Sequence, residues 1–273
     1  PEDEATEMSA RVWQIIDDSC GYGFNSAHAY CMALDSLYCA WLKAHYPYEF
    51  YEVLLQVFSD KGKKDKVQAL KQEMQVAFGI KEGAYKFGVD NRKFVADKKN
   101  HTINPSLLSI KGLSQACADE LYELSQSRHF DNFCDLLTAM KSLKSMDSGK
   151  IDTLIKIDYF SDFGPSGTLL RTVQLYDKFA GRKELKKEKC ELPQNIIEKH
   201  CTETPKKFKI TNSDALMRDL CAMIPKVDAP IQSRIKWQFE CLGYCNLTMP
   251  EKKNYGYVMD LNTKWSPRIQ VYQ

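Results

Sequence analysis

No apolar run in this chain of 273 residues approaches the roughly 18 residues that a membrane-spanning helix needs. The first residues are the acidic Pro1-Glu2-Asp3-Glu4, which lack the basic, then apolar, pattern of a secretory signal. An excess of one charge is also missing, because 38 Lys and Arg against 36 Asp and Glu leave only +2. A cytoplasmic location is therefore expected, with no membrane partner. Pro1 in place of an initiator Met leads us to expect a piece of a longer protein.

The usual signatures of catalysis are absent too. The sequence holds no GxGxxG, Walker loop, GxSxG or HExxH. Ten cysteines are present, but no two are spaced as CxxC, and the five histidines form no HxxxH. A zinc site needs ligands spaced to close one tetrahedron, and these spacings offer none. Reduced thiols packed as small hydrophobes are the expectation. No pair of aspartates one residue apart lies on a strand-like run, as a two-metal phosphoryl-transfer site would require.

What is present is an ordinary folding composition, 44% hydrophobic and 27% charged, enough for two or three domains. Charge is uneven along the chain. Residues 61–99 carry eleven Lys and Arg against five acids, and residues 178–209 carry ten against five. Helical periodicity covers residues 8–20, Ser26 to Tyr46, Tyr48 to Phe58 and Lys61 to Ala77. Along the second of these, Tyr30, Leu34, Leu37, Trp41 and Ala44 predict a buried stripe. Short β-like runs follow at Gly79-Ile80, Tyr85 to Val89 and Lys93 to Ala96. Helices are then predicted at Gln115 to Gln126, Asn132 to Lys141, Lys150 to Ile157 and Leu169 to Phe179. Residues 180–229 read as a linker with at most short helices, at Ser213 to Met223 for example. Ile231 to Phe239 predicts another helix, and Tyr255 to Leu261 with Arg268 to Tyr272 predict two strands joined at Ser266-Pro267. The fold class is mainly α.

Two stretches carry chemistry. In Gly21-Tyr22-Gly23-Phe24-Asn25-Ser26-Ala27-His28 a glycine-flexed loop feeds the N-terminus of a long helix. Free N–H groups and the positive dipole end favour a phosphate there, with Tyr22 a face for a base and His28 a donor. The same residues also describe a plain loop with an Asn or Ser cap. In Leu107-Leu108-Ser109-Ile110-Lys111-Gly112-Leu113-Ser114 an apolar-Lys-Gly-apolar-small turn opens a helix. Such a turn suits a helix-hairpin-helix, whose amides grip a DNA phosphate without reading bases. An ordinary capped helix would look the same.

With Ala40-Trp41-Leu42-Lys43-Ala44-His45-Tyr46-Pro47-Tyr48-Glu49-Phe50, the first stretch resembles the C-family DNA polymerases, the alpha subunits of bacterial DNA polymerase III. Their fingers carry a GYGFNKSHA-type motif and WLKAHYPxEF at this same separation. Ser26 and Ala27 stand where that family has lysine and serine. The hairpin is similar to the family's IKGVG, and Gly149 to Gly164 looks like its LEALIKAGAFDSLG segment. Phe239 to Tyr244 is similar to ETLGLYL, ahead of an OB-like domain.

The resemblance implies fingers over 1–78, a small β-containing insert over 79–104, and a tandem helix-hairpin-helix module over 105–179. The linker at 180–229 and the incomplete start of an OB-like domain at 230–273 follow. It implies an incoming dNTP met by Tyr22, Asn25, Ser26 and His28. It also implies primer-template DNA met by Lys111, Gly112, Leu113, Ser114, Lys150 and Lys156. Mg²⁺ would be held by palm carboxylates expected upstream of Pro1, so no catalytic or metal-binding residue is assigned within the segment, which should be inactive alone. The alternative is a non-catalytic DNA-binding or partner-binding relative. A sliding clamp and other replisome subunits are further expected partners; Gln174, Leu175, Tyr176 and Phe179 imitate a clamp-binding peptide, although in a predicted helix.

Overall fold

A computed structural model describes residues 2–22, 26–245, 247, 256–262 and 268–272. The described residues are mainly helical, with eleven α-helices, three 3-10 turns and three small sheets. No helix among them is long and apolar enough to cross a membrane. The chain divides into two compact units, residues 1–51 and 52–273.

The first unit holds α1 (Glu2–Tyr22), α2 (Ser26–His45) and the opening of α3 (Pro47–Asp60). Pro47 suits the first turn of α3 because the N–H it lacks would have no intrahelical partner there. The stripe expected to be buried along α2 is instead open. Tyr30 is 66% exposed, Leu37 63% and Trp41 49%. Met8, Val12, Ile15 and Ile16 of α1 are exposed as well. A 3.6-residue period marks a face that favours burial, but burial needs a second surface, and neither helix covers the other's apolar side.

In the second unit α4 (Lys64–Phe78) ends at Gly79, whose N–H bonds to Gln75 O while Ile80 N–H bonds to Met74 O. That double closure demands the left-handed backbone glycine accepts easily. Three short strands follow: β1 (Lys81–Glu82), β2 (Val95–Asp97) and β3 (Thr102–Asn104). β3 lies in the middle, parallel to β1 and antiparallel to β2. Carboxylate and amide oxygens of α3 anchor this insert: Glu52 accepts from Ala96 N–H at 2.9 Å and Gln56 from Phe94 N–H at 3.1 Å.

Its hub is Asn91, 1% exposed. The side-chain amide donates to Ala84 O (3.1 Å) and Pro105 O (2.8 Å) and accepts from Lys86 N–H (3.2 Å). The run Tyr85 to Val89, expected to be β-like, forms no strand. Phe87 leaves the insert and enters an aromatic cluster of Phe130, Tyr159, Phe160 and Phe163, with ring centroids 5.9–6.3 Å away. Burying that ring outweighs what an isolated strand would gain.

The main core belongs to α5 (Gln115–Ser127), α6 (Phe133–Lys141), α7 (Ser148–Lys156) and α8 (Ser166–Phe179). Leu121, Leu136, Leu137, Met140, Ile151, Leu154 and Phe160 are fully buried in it. α11 (Ile231–Leu242) packs on α7. Arg234 of α11 grips Asp228 and Asp158, both at 2.7 Å. Gly167 lets residues 227–229 lie close against α8, because a Cβ there would meet Val227 O at 2.6 Å.

Residues 180–229, expected to be a linker, are folded. β4 (Glu184–Lys186), β6 (Lys207–Ile210) and β5 (Cys201–Glu203) form an antiparallel sheet in that spatial order, with α9 (Gln194–His200) and α10 (Ser213–Ala222) beside it. Leu185, Leu192, Ile196, Ile210, Leu216 and Leu220 close a second core over Phe179 and Cys134. In sequence Leu185 and Leu192 stand singly in polar and charged stretches, and Phe208 and Ile210 alternate with lysines, so no window around the strands looks apolar. Pairing of the strands collects them on one side. The predicted strands near the C-terminus are present as β7 (Tyr257–Asn262) and β8 (Arg268–Tyr272), antiparallel to each other. Ser266 and Pro267 lie outside the described residues.

Asn91→Ala removes two donated hydrogen bonds and one acceptor, taking these partners from Ala84 O, Pro105 O and Lys86 N–H. It should destabilise the chain by about 2–4 kcal/mol, read as a lowered urea midpoint at unchanged slope.

Candidate nucleic-acid interface

The second predicted stretch folds into a tight turn. Ser106, buried, caps a single 3-10 turn over Leu107–Ser109 by accepting from Leu108 N–H. Ile110 is buried and extended, and Leu113 N–H returns to Ile110 O at 3.3 Å. Gly112, third residue of this turn, has φ +92°. Positive φ at that position is what a type II turn requires. A Cβ on Gly112 would touch nothing within 4 Å, so the need for glycine is conformational. Ser114 then caps α5, its Oγ accepting from Cys117 N–H. Ahead of the turn stands the 3-10 turn rather than an α-helix, because Ser106 and the buried Ile110 leave room for only three residues between them.

A second turn lies against α5. Between α6 and α7, Ser145 donates from N–H and Oγ to Glu120 of α5, and Asp147 caps α7 by accepting from Lys150 N–H at 2.9 Å. The hydrogen bonds from Ser145 hold the Glu120 carboxyl below its ordinary pKa, and the cap from Lys150 N–H does the same for Asp147. Burial pushes the Cys117 thiol up to about 11, so it packs as an inert hydrophobe.

The four hairpin residues therefore share one turn, while the two later lysines are committed elsewhere. Lys150 Nζ donates to Ser145 O and pairs with Asp147 at 3.3 Å. Lys156 pairs with Asp152 at 2.6 Å. Lys111 is exposed and makes no ion pair or side-chain hydrogen bond to the described residues. Of the residues assigned to the nucleotide, Asn25 lies outside the described residues, as do the side chains of Tyr22 and Ser26. His28 is exposed on the first turn of α2. The clamp-like residues fall on α8, where Phe179 is buried in the second core. Among the described residues no group of three or more His, Cys, Asp or Glu could hold a metal ion.

Beside Lys111 is a pocket of about 340 Å³, lined among others by Lys64, Lys71, Tyr85, Ser109 and Tyr244. Lys71, 7% exposed, donates to Glu82 at 2.6 Å and to Tyr244 at 3.1 Å. Burial raises the Tyr85 and Tyr244 hydroxyls above the ordinary tyrosine range, so both stay protonated. The sequence reading missed this network, since its members are up to 173 residues apart and no local pattern joins them.

No protein-family model matches the chain. Among curated proteins it is similar to DNA polymerase III subunit alpha of Pseudomonas fluorescens, 27% identical over 159 residues, or 58% of this chain. The subunit of Campylobacter jejuni is 28% identical over 187 residues (67% of this chain), and that of Streptococcus pyogenes 29% over 163 residues (59%). The chain is a segment related to that subunit. It spans about 13–15% of the length of these polymerase relatives.

Depressed carboxylate pKa values stabilise the fold above the ordinary carboxylate range, and that contribution disappears as pH falls through the lowered values. Thermal unfolding should therefore show a falling midpoint below about pH 4.3. Glu120→Gln should flatten that acid limb.

Proposed function

We propose that this segment serves DNA-directed DNA synthesis in a bacterial-type replicative polymerase, by holding the duplex without reading its sequence. The observation that carries the reading is the turn at Ile110–Ser114. Its glycine takes the backbone shape a phosphate-gripping turn needs, its lysine is uncommitted, and it delivers the capped N-terminus of α5. The adjoining turn ahead of α7 presents a second capped N-terminus beside it. Lys150 and Lys156 would reach phosphate only by giving up Asp147 and Asp152.

The loop before α2 is assigned to positioning the incoming nucleotide through Tyr22, Asn25, Ser26 and His28, on the strength of its motif and of the relatives' names. In this reading Mg²⁺ and the reacting carboxylates belong to the parent enzyme. The 273-residue chain alone binds duplex DNA without extending a primer. Primer extension by the purified chain would overturn that part.

Duplex affinity should fall with salt at a slope of about −0.9 per phosphate neutralised. Lys111→Ala should flatten the slope by about one contact and weaken all duplexes alike. Gly112→Val should weaken binding further, because a β-branched residue resists positive φ and would displace the amides. Unchanged affinity and slope in both folded variants would leave only a helix cap.

In the parent polymerase, His28→Ala and Tyr22→Ala should raise the nucleotide KM or lower kcat while DNA affinity holds. Steady-state kinetics that do not move in either variant would return the loop to a structural role.

A further inference from the structure

The sheet β4-β6-β5 has two different faces. Its register sets Glu184 opposite Lys209, Lys186 opposite Lys207, and Thr202 opposite Lys209. Side chains alternate along a strand, so Glu184, Lys186, Lys207, Lys209 and Thr202 share one face, and all five are exposed. Leu185, Phe208 and Ile210 face the second core.

The outward face is short of acid. Its one carboxylate, Glu184, is bound to Lys207 at 2.6 Å, and the lysine hydrogen bond holds the carboxyl below its ordinary pKa. Lys186 and Lys209 flank this pair and have no ion pair or side-chain hydrogen bond to the described residues. The same holds for Arg182 and Lys183 just before β4 and for Lys206 in the turn before β6. Of the other acids of this region, Glu203 is used by Lys187, Glu191 by Lys178, Asp219 by Lys199 and His200, and Asp228 by Arg234, while Glu198 and Asp214 lie on α9 and α10 rather than on the sheet. Glu188 follows β4 in a 3-10 turn. An ordinary solvated face mixes the two signs so that most cations have counter-charges. Here five cations around one small sheet make no direct ion pair to the described residues, and the single carboxylate opposite Lys209 is already bound by Lys207.

We infer that the outward face of β4-β6-β5 is a second nucleic-acid surface, on which Lys186 and Lys209, with Arg182, Lys183 and Lys206 around them, contact the phosphate backbone of duplex DNA. Lysines two apart on a strand stand about 6.7 Å apart and those on neighbouring strands about 4.8 Å. That density of positive charge suits a polymer carrying one charge per roughly 1.7 Å of axis. Apart from Thr202 and the lysine-bound Glu184, the outward face of the sheet offers lysine ammonium groups, with no side-chain amide to read a base edge. Contacts should therefore be indifferent to sequence. The inference rests on the duplex-binding reading for its choice of ligand, but uses residues separate from the hairpin.

The test is a salt titration of duplex binding by the 273-residue chain and by the double variant Lys186→Gln, Lys209→Gln, with circular dichroism to confirm folding. Both side chains are exposed and make no ion pair or side-chain hydrogen bond to the described residues, so folding should be unaffected. The expected result is about tenfold weaker binding at 50 mM salt and a slope flatter by about 1.8, equal to two contacts at 0.9 each. The loss should add to that of Lys111→Ala. If only the sheet variant loses affinity, this surface stands and the hairpin reading fails. If Lys111→Ala and Gly112→Val lose affinity while the folded sheet variant keeps wild-type affinity and slope, the hairpin stands and the sheet inference is overturned. Displacement of duplex by polyglutamate at equal charge concentration would also overturn it, in favour of an acidic polypeptide.

Discussion

The side-chain amide of Asn91 ties together three separate stretches of backbone, and much of the second unit is positioned from that point. It closes the loop from Ala84 to Lys86 and fixes Pro105, while the backbone carbonyl of Asn91 accepts from Leu107 N–H at 2.8 Å. In a largely buried setting, polar groups such as these are costly if left unmatched. One consequence is that Phe87 is delivered into the aromatic cluster over Tyr159 and Phe160. Another is that Ser106 to Ile110 arrive beside α5 in the one geometry that allows the turn at Gly112. A small insert with little sheet of its own thus sets the approach to the candidate DNA-binding turn.

Charge in this molecule is better described by commitment than by totals. Lysines at 71, 150 and 156 are each held by a named carboxylate, whereas Lys111, Lys186 and Lys209 are not. A cation already paired in a half-buried setting gives up an existing interaction to meet a phosphate, while an unpaired exposed one exchanges only water and counterions. This difference separates residues that hold the fold from residues free to meet a polyanion. A net charge of +2 hides it completely.

Apolar surface divides the two units. Cores in residues 52–273 are closed on themselves, with the second core built from residues that sequence reading passed over as a linker. In residues 1–51 the aromatic and aliphatic side chains of α1 and α2 remain largely exposed, although Trp41 stacks on His45 at 4.5 Å. The relatives are far longer than this chain, which spans about 13–15% of them.

The sequence by itself determined most helices, because their signals are local. Period, proline at the start of α3, serine or asparagine at the caps of α5, α6 and α10, and glycine after α4 and α11 all act within one or two turns. It also determined the turn at Lys111 to Ser114, since a single positive φ demands glycine. The partners of Lys150 and Lys156 are local too, at i,i+3 and i,i+4 along α7 and its cap, whereas only the tertiary structure decided that Lys71 is held by Glu82 and Tyr244. The fold of residues 180–229 was likewise decided by pairing across distance. Lys186 faces Lys207 and Leu185 faces Phe208 only after β4 has met β6, and no local window contains both strands. Burial of α2's stripe failed for the same reason: periodicity states which side of a helix favours a partner, and only the folded chain can supply one.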